Sequence, residues 1–170
     1  MPIENELKYI LPLDFDATTL SGWEKHGIRQ AYLNDGPRIR QINADHIFTY
    51  KKWIAQVKEL VEIETAISQD DFELLWSQRV QSLEKTRYEK HIGAAEWVVD
   101  FLHDPSGRNF VVMAEVELPR YVLQPDMIPD EIATRILYSV PAGDNRFTNK
   151  KLSDPDYAAK MYEELVLPQP

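Results

Sequence analysis

The 170-residue chain contains no cysteine, which excludes disulfides, thiolate metal sites and cysteine nucleophiles. Any metal it holds must use oxygen or histidine ligands. It also lacks a run of about 18 apolar residues, the length a membrane-crossing helix needs. Glu4 and Glu6 stand where a signal peptide would carry its apolar core, so a cytoplasmic location is the plain expectation. Positive charge is short as well: the formal net charge of −9 argues against general attraction to DNA, RNA or an anionic membrane. A local basic cluster can still hold a small anion. Repeats and low-complexity segments are missing.

What the chain does have is alternation. With 44% hydrophobic residues, it is long enough for one domain over 1–170 with a sizeable core. Period-2 patterning predicts strands at 3–11, 28–33, 37–43, 46–52, 59–67, 84–91, 95–103 and 109–118. Turn-rich links such as Asn34-Asp35-Gly36-Pro37, Asn43-Ala44-Asp45 and Asp104-Pro105-Ser106-Gly107 imply antiparallel neighbours. Helical spacing of Phe72, Leu75, Trp76, Val80 and Leu83, with a start at Ser68 and Asp71, predicts a helix there. Weaker helical patterns run from Asp16 to His26, from Pro129 to Ser139 and from Pro155 to Val166.

Charged residues recur two apart on the strands, and alternate residues of a strand share a face. The set is Glu4, Glu6 and Lys8; Arg38 and Arg40; Lys51; Glu62 and Glu64; Lys85 and Arg87; Asp100; and Glu115 and Glu117. Opposite them fall Leu7, Tyr9, Leu11, Val61, Ile63, Trp97, Val99, Phe101, Val116 and Leu118. An ordinary solvated sheet face accounts for any one pair. Three Glu-x-Glu pairs interleaved with bases are harder to explain that way.

Eight antiparallel strands can close on themselves and so remove exposed edges. Closure with helices over the apolar face would turn the charges inward, into a wet lumen that binds ions. Carboxylates suit Mg²⁺ or Mn²⁺, and arginine and lysine suit phosphate. A triphosphate with about four negative charges would roughly balance this set plus two divalent cations.

Taken in order, these residues resemble the CYTH superfamily, the triphosphate tunnel metalloenzymes. Glu4-x-Glu6-x-Lys8 is similar to its ExExK signature. The likeness continues through Ile28-x-Gln30-x-Tyr32-Leu33, Arg38-x-Arg40, Thr49-x-Lys51, Glu62-x-Glu64, Lys85-x-Arg87, Asp100 and Ala114-Glu115-Val116-Glu117. Arg146-Phe147-Thr148-Asn149 loosely resembles the family's segment before a final helix. Leu60 stands where members often carry arginine, and Leu7 departs in the same way.

The resemblance implies an α+β, mainly β fold: a closed eight-stranded antiparallel barrel with a charged lumen and helices outside. By the same resemblance Glu4, Glu6, Glu115 and Glu117 would ligate Mg²⁺ or Mn²⁺, with Asp100 or Glu64 assisting. Lys8, Arg38, Arg40, Lys51, Lys85 and Arg87 would hold phosphate oxygens. Glu62, Glu64, Lys8 and Lys85 are candidates for handling the attacking water. The expected activity is hydrolysis of inorganic triphosphate, and a homodimer is plausible by resemblance.

Two other readings remain open at this level. One is a class IV adenylyl cyclase that converts ATP to cyclic AMP, with Tyr32, Trp53 or Phe147 stacking the base. The other is a non-catalytic polyphosphate or nucleotide binder. His26, His46, His91 and His103 show no close ligand spacing and read as surface or turn residues, and Trp23, Trp76 and Trp97 as core.

Overall fold

The computed structural model describes residues 5–167. Its strands are β1 (Glu6–Leu11), β2 (Glu24–Tyr32), β3 (Arg38–Ile42), β4 (Asp45–Ile54), β5 (Glu59–Ala66), β6 (Gln81–Ile92), β7 (Ala95–His103), β8 (Asn109–Glu117) and β9 (Tyr138–Ser139). Every one of the eight predicted strands is present among them. The helices are α1 (Gln69–Ser77), α2 (Asp130–Ala133), α3 (Asn149–Leu152) and α4 (Pro155–Met161). No described helix is long and apolar enough to cross a membrane.

The sheet has nine strands and an open order, which corrects the expected closed eight-stranded barrel. The edge of β1 that closure would use is taken by β9, with Ile10 opposite Tyr138 and Tyr9 opposite Ser139. Leu137 and Val140 add backbone hydrogen bonds to Ile10 and Lys8, each at 2.9 Å. A strand edge has one row of donors and acceptors, and here β9 occupies it.

The chain divides into two compact units, one from residues 26–84 and one from residues 5–25 with 85–167. In the first, the strands run in the order β5-β4-β3-β2 with antiparallel pairing. Helix α1 lays Phe72, fully buried, against Ala31 and Ile39. Ser68 caps that helix by accepting from the Asp71 amide at 3.0 Å, and Asp70 and Asp71 favour its positive end. The helix stops at Ser77 rather than continuing to Leu83, because the Val80 amide is drawn to the Tyr32 carbonyl at 2.9 Å. On β5, Val61 and Ile63 are exposed, so the expectation that they face a core does not hold.

The second unit runs β6-β7-β8-β1-β9. Strands β7 and β8 are buried along nearly their whole length, as their almost continuous apolar runs require. Tyr9, Leu11, Trp97, Val99, Phe101, Val112, Val116 and Leu118 build the core on one face with Phe15, Leu20, Trp23 and Ile132. The expected helix over 16–26 shrinks to a 3₁₀ turn, Ala17–Leu20. Gly22 adopts φ +85°, outside helical geometry, and β2 begins at Glu24.

The Pro129 to Ser139 pattern likewise yields only the four-residue α2, since Tyr138–Ser139 pairs as strand. Asp154 caps α4, which ends in a π-helical turn, Tyr162–Val166. The Tyr162 hydroxyl accepts from the Val112 amide at 3.1 Å and donates to the Leu11 carbonyl at 3.0 Å. That pairing locks the C-terminal helical segment onto β1 and β8.

Candidate functional site

In the second unit, pairing sets the rows of a charged face. Glu6 lies opposite Glu117 and Lys8 opposite Glu115 across β1 and β8, and Glu117 lies opposite Glu96 across β8 and β7. Glu6, Lys8, Glu115, Glu117, Glu96 and Asp100 therefore share one side of the sheet. The other side is the apolar core. Glu4 falls outside the described residues.

Asp100 is the anchor of this face. It has no solvent exposure and accepts from Lys85 Nζ at 2.5 Å, Arg87 Nε at 2.7 Å and Arg87 Nη2 at 2.8 Å. Burial alone would raise its carboxyl, but Lys85 and Arg87 outweigh burial and hold it well below the usual range. Burial depresses Lys85 further than Asp100 restores it. Arg87, which burial would also depress, is raised by Asp100 instead. One carboxylate thus braces two cations, and Glu115 adds a weaker attraction to both. Both Asp100 oxygens are committed to these cations.

Glu115 sits beside this anchor, nearly buried. Burial pushes its carboxyl up, Lys8 draws it down, and repulsion from Asp100 adds to the rise. Lys8 Nζ lies 3.7 Å from Glu115 Oε1 and 3.0 Å from Glu6 Oε1. Glu115 Oε1 is shielded from solvent and lacks a hydrogen-bond donor. Glu115, Glu6 and Glu117 offer the donor type a hard divalent cation uses, but among the described residues their oxygens do not converge within 4.8 Å of one another.

The first unit carries its own charged face. Tyr32, Arg38, Thr49 and Glu64 lie in one cross-strand row, and Lys51 pairs with Glu62 in the next. Arg40 Nη2 and Thr49 Oγ1 each donate to Glu64 Oε2 at 3.0 Å. Lys51 Nζ lies 3.3 Å from Glu62 Oε1. Arg38 Nε is shielded from solvent without a hydrogen-bond acceptor. Glu62 and Glu64 are therefore partners of Lys51 and Arg40.

Of the residues singled out in the sequence, Glu6, Lys8, Lys85, Arg87, Asp100, Glu115 and Glu117 gather in one unit. Arg38, Arg40, Lys51, Glu62 and Glu64 gather in the other. Glu96 joins the first group and was passed over. Its spacing of four from Asp100 was the available signal, since even spacing puts both on one face.

No family model matches the chain, and no curated protein matches it. Solved structures similar to it include a Pyrococcus horikoshii protein, 15% identical, covering 69% of this chain and 79% of that one at a TM-score of 0.48. A Bacillus halodurans "putative adenylate cyclase" is 17% identical, covering 68% and 80% at 0.49. A conserved hypothetical protein of Pyrococcus furiosus is 14% identical, covering 96% and 91% at 0.48. At such identities no activity passes from any of them to this chain.

Proposed function

We propose that the protein is a divalent-metal-dependent triphosphatase acting on inorganic triphosphate. The observation that carries this reading is the pair Lys85 and Arg87, braced by a buried Asp100 next to the carboxylates Glu115, Glu6 and Glu117. Phosphoryl transfer depends on positioning and charge stabilisation more than on covalent chemistry by the protein. A face with rigid cations and free carboxylate oxygens supplies both.

Glu6, Glu115 and Glu117 would hold Mg²⁺ or Mn²⁺, which when bound neutralises phosphate charge and polarises a phosphoryl oxygen. Lys85, Arg87 and Lys8 bind phosphate oxygens and stabilise the charge that develops on them. Asp100 acts by positioning: its two oxygens fix the direction of Lys85 and Arg87. In the other unit, Arg38, Arg40 and Lys51 form a second phosphate-directed set, with Glu64 and Glu62 orienting Arg40 and Lys51.

The test is a panel of triphosphate, ATP, thiamine triphosphate and pyrophosphate with Mg²⁺ or Mn²⁺, with the products identified. Release of phosphate from triphosphate above the other substrates supports the proposal. Cyclic AMP and pyrophosphate from ATP would replace it with a cyclase, and tight binding without turnover with a binding module.

A further inference from the structure

We propose that Glu89, His91 and Glu96 form a second divalent-metal site, at the β6–β7 hairpin, that takes a first-row transition ion such as Zn²⁺ or Mn²⁺ in preference to Mg²⁺. One donor atom from each of the three lies within 4.8 Å of the others, and His91 Nε2 is 3.5 Å from Glu89 Oε1. Donors on one ion at about 2.0–2.2 Å lie at most about 4.4 Å apart, so the three stand slightly wider than a bound set and would have to draw in on binding.

Backbone geometry holds the three in place. The turn between β6 and β7 is only Gly93-Ala94, with Gly93 at φ +61°, the first position of a type II′ turn. A two-residue turn sets His91 opposite Glu96, and Glu89 shares the face of His91 by alternation.

Charge also points to a cation. Glu96 faces Glu117, which faces Glu6, and like charges directly opposite destabilise a sheet. Glu6 is relieved by Lys8, but among the described residues neither Glu96 nor Glu117 makes an ion pair. Glu96 thus adds a carboxylate at the hairpin end that a cation bound there would offset.

The imidazole decides the class of ion. Carboxylates alone suit Mg²⁺, whereas a nitrogen donor shifts preference toward Zn²⁺ and its neighbours. The inference goes beyond the triphosphatase reading and does not rest on it, since it concerns metal binding at residues given no part in that reaction.

The four histidine rings give a direct readout. Substoichiometric Mn²⁺ added to ¹⁵N-labelled protein should broaden the His91 ring signals before those of His26, His46 and His103. Calorimetric titration with Zn²⁺ should show binding that weakens roughly tenfold or more in His91→Asn and persists in Lys85→Met. His91 is 68% exposed, so that substitution leaves folding intact. Broadening of His91 no earlier than the other rings, or unchanged Zn²⁺ affinity in His91→Asn, would overturn the site. Failure of the triphosphatase reading would show separately, as absent phosphate release with Zn²⁺ binding retained.

Discussion

Arg87 grips Asp100 through two hydrogen bonds, Nε to Oδ1 at 2.7 Å and Nη2 to Oδ2 at 2.8 Å, with the carboxylate fully removed from solvent. The forked contact fixes the guanidinium plane as a single point charge could not. Lys85 closes the third contact. Asp100→Ala would leave two cations without their counter-charge, and should cost about 3–5 kcal/mol in urea unfolding. A loss under about 1 kcal/mol, the range of exposed pairs, would show that the brace is not structural.

Asp100 and Glu115 should give opposite pH signatures. The Asp100 carboxyl is held down to about 2, so its stability contribution is present above the unfolded value of about 3.9 and is lost as pH falls toward the folded one. Asp100→Asn should flatten the stability profile across that acid window. Burial raises Glu115, so its contribution is present below about 4.3 and is lost as pH rises through the folded value. Glu115→Gln should therefore gain stability relative to wild type as pH rises above the unfolded value of about 4.3. A parallel pair of profiles would contradict the raised carboxyl.

Tyr162 spends its hydroxyl on the Val112 amide and the Leu11 carbonyl in a buried setting. Burial pushes its phenol up to about 12 despite the Val112 contact, so it stays protonated at neutral pH. Tyr162→Phe keeps the ring and strands two backbone groups, at a cost of about 1–3 kcal/mol. Thermal unfolding read by circular dichroism checks this.

The Arg40–Glu64 pair is partly exposed, so Arg40→Ala should change stability by about 1 kcal/mol or less. If Arg40 meets phosphate, triphosphate binding should weaken about tenfold or more, the scale of a lost charge-assisted contact. Calorimetry with triphosphate under non-hydrolysing conditions separates the two effects. An unchanged dissociation constant would remove Arg40 from the binding set.

The strands were legible because alternation is local: Leu7, Tyr9 and Leu11 or Trp97, Val99 and Phe101 declare a face without knowledge of their partners. The pairing order was not, because it depends on a two-residue strand, Tyr138–Ser139, too short to carry a period. Leu83 fitted helical spacing with Phe72 yet belongs to β6, since backbone pairing at Val80 overrides a side-chain pattern. Within the charged faces, residue identity was readable and partner choice was not. Nothing in the sequence says that Asp100 takes Lys85 and Arg87, or that His91 meets Glu89 and Glu96 at a hairpin end.

The proposed activity is turnover of triphosphate with a divalent cation at the face built on Glu6, Lys8, Lys85, Arg87, Glu115 and Glu117. Phosphate release from triphosphate, measured with Mn²⁺ and with chelator for wild type, Glu117→Gln and Lys85→Met, tests it most directly. Turnover in wild type should be abolished by chelator and should fall about 10²-fold or more in each variant, with both variants folded by circular dichroism. Turnover near the wild-type level in both variants, or no release by wild type with either Mg²⁺ or Mn²⁺, would contradict it.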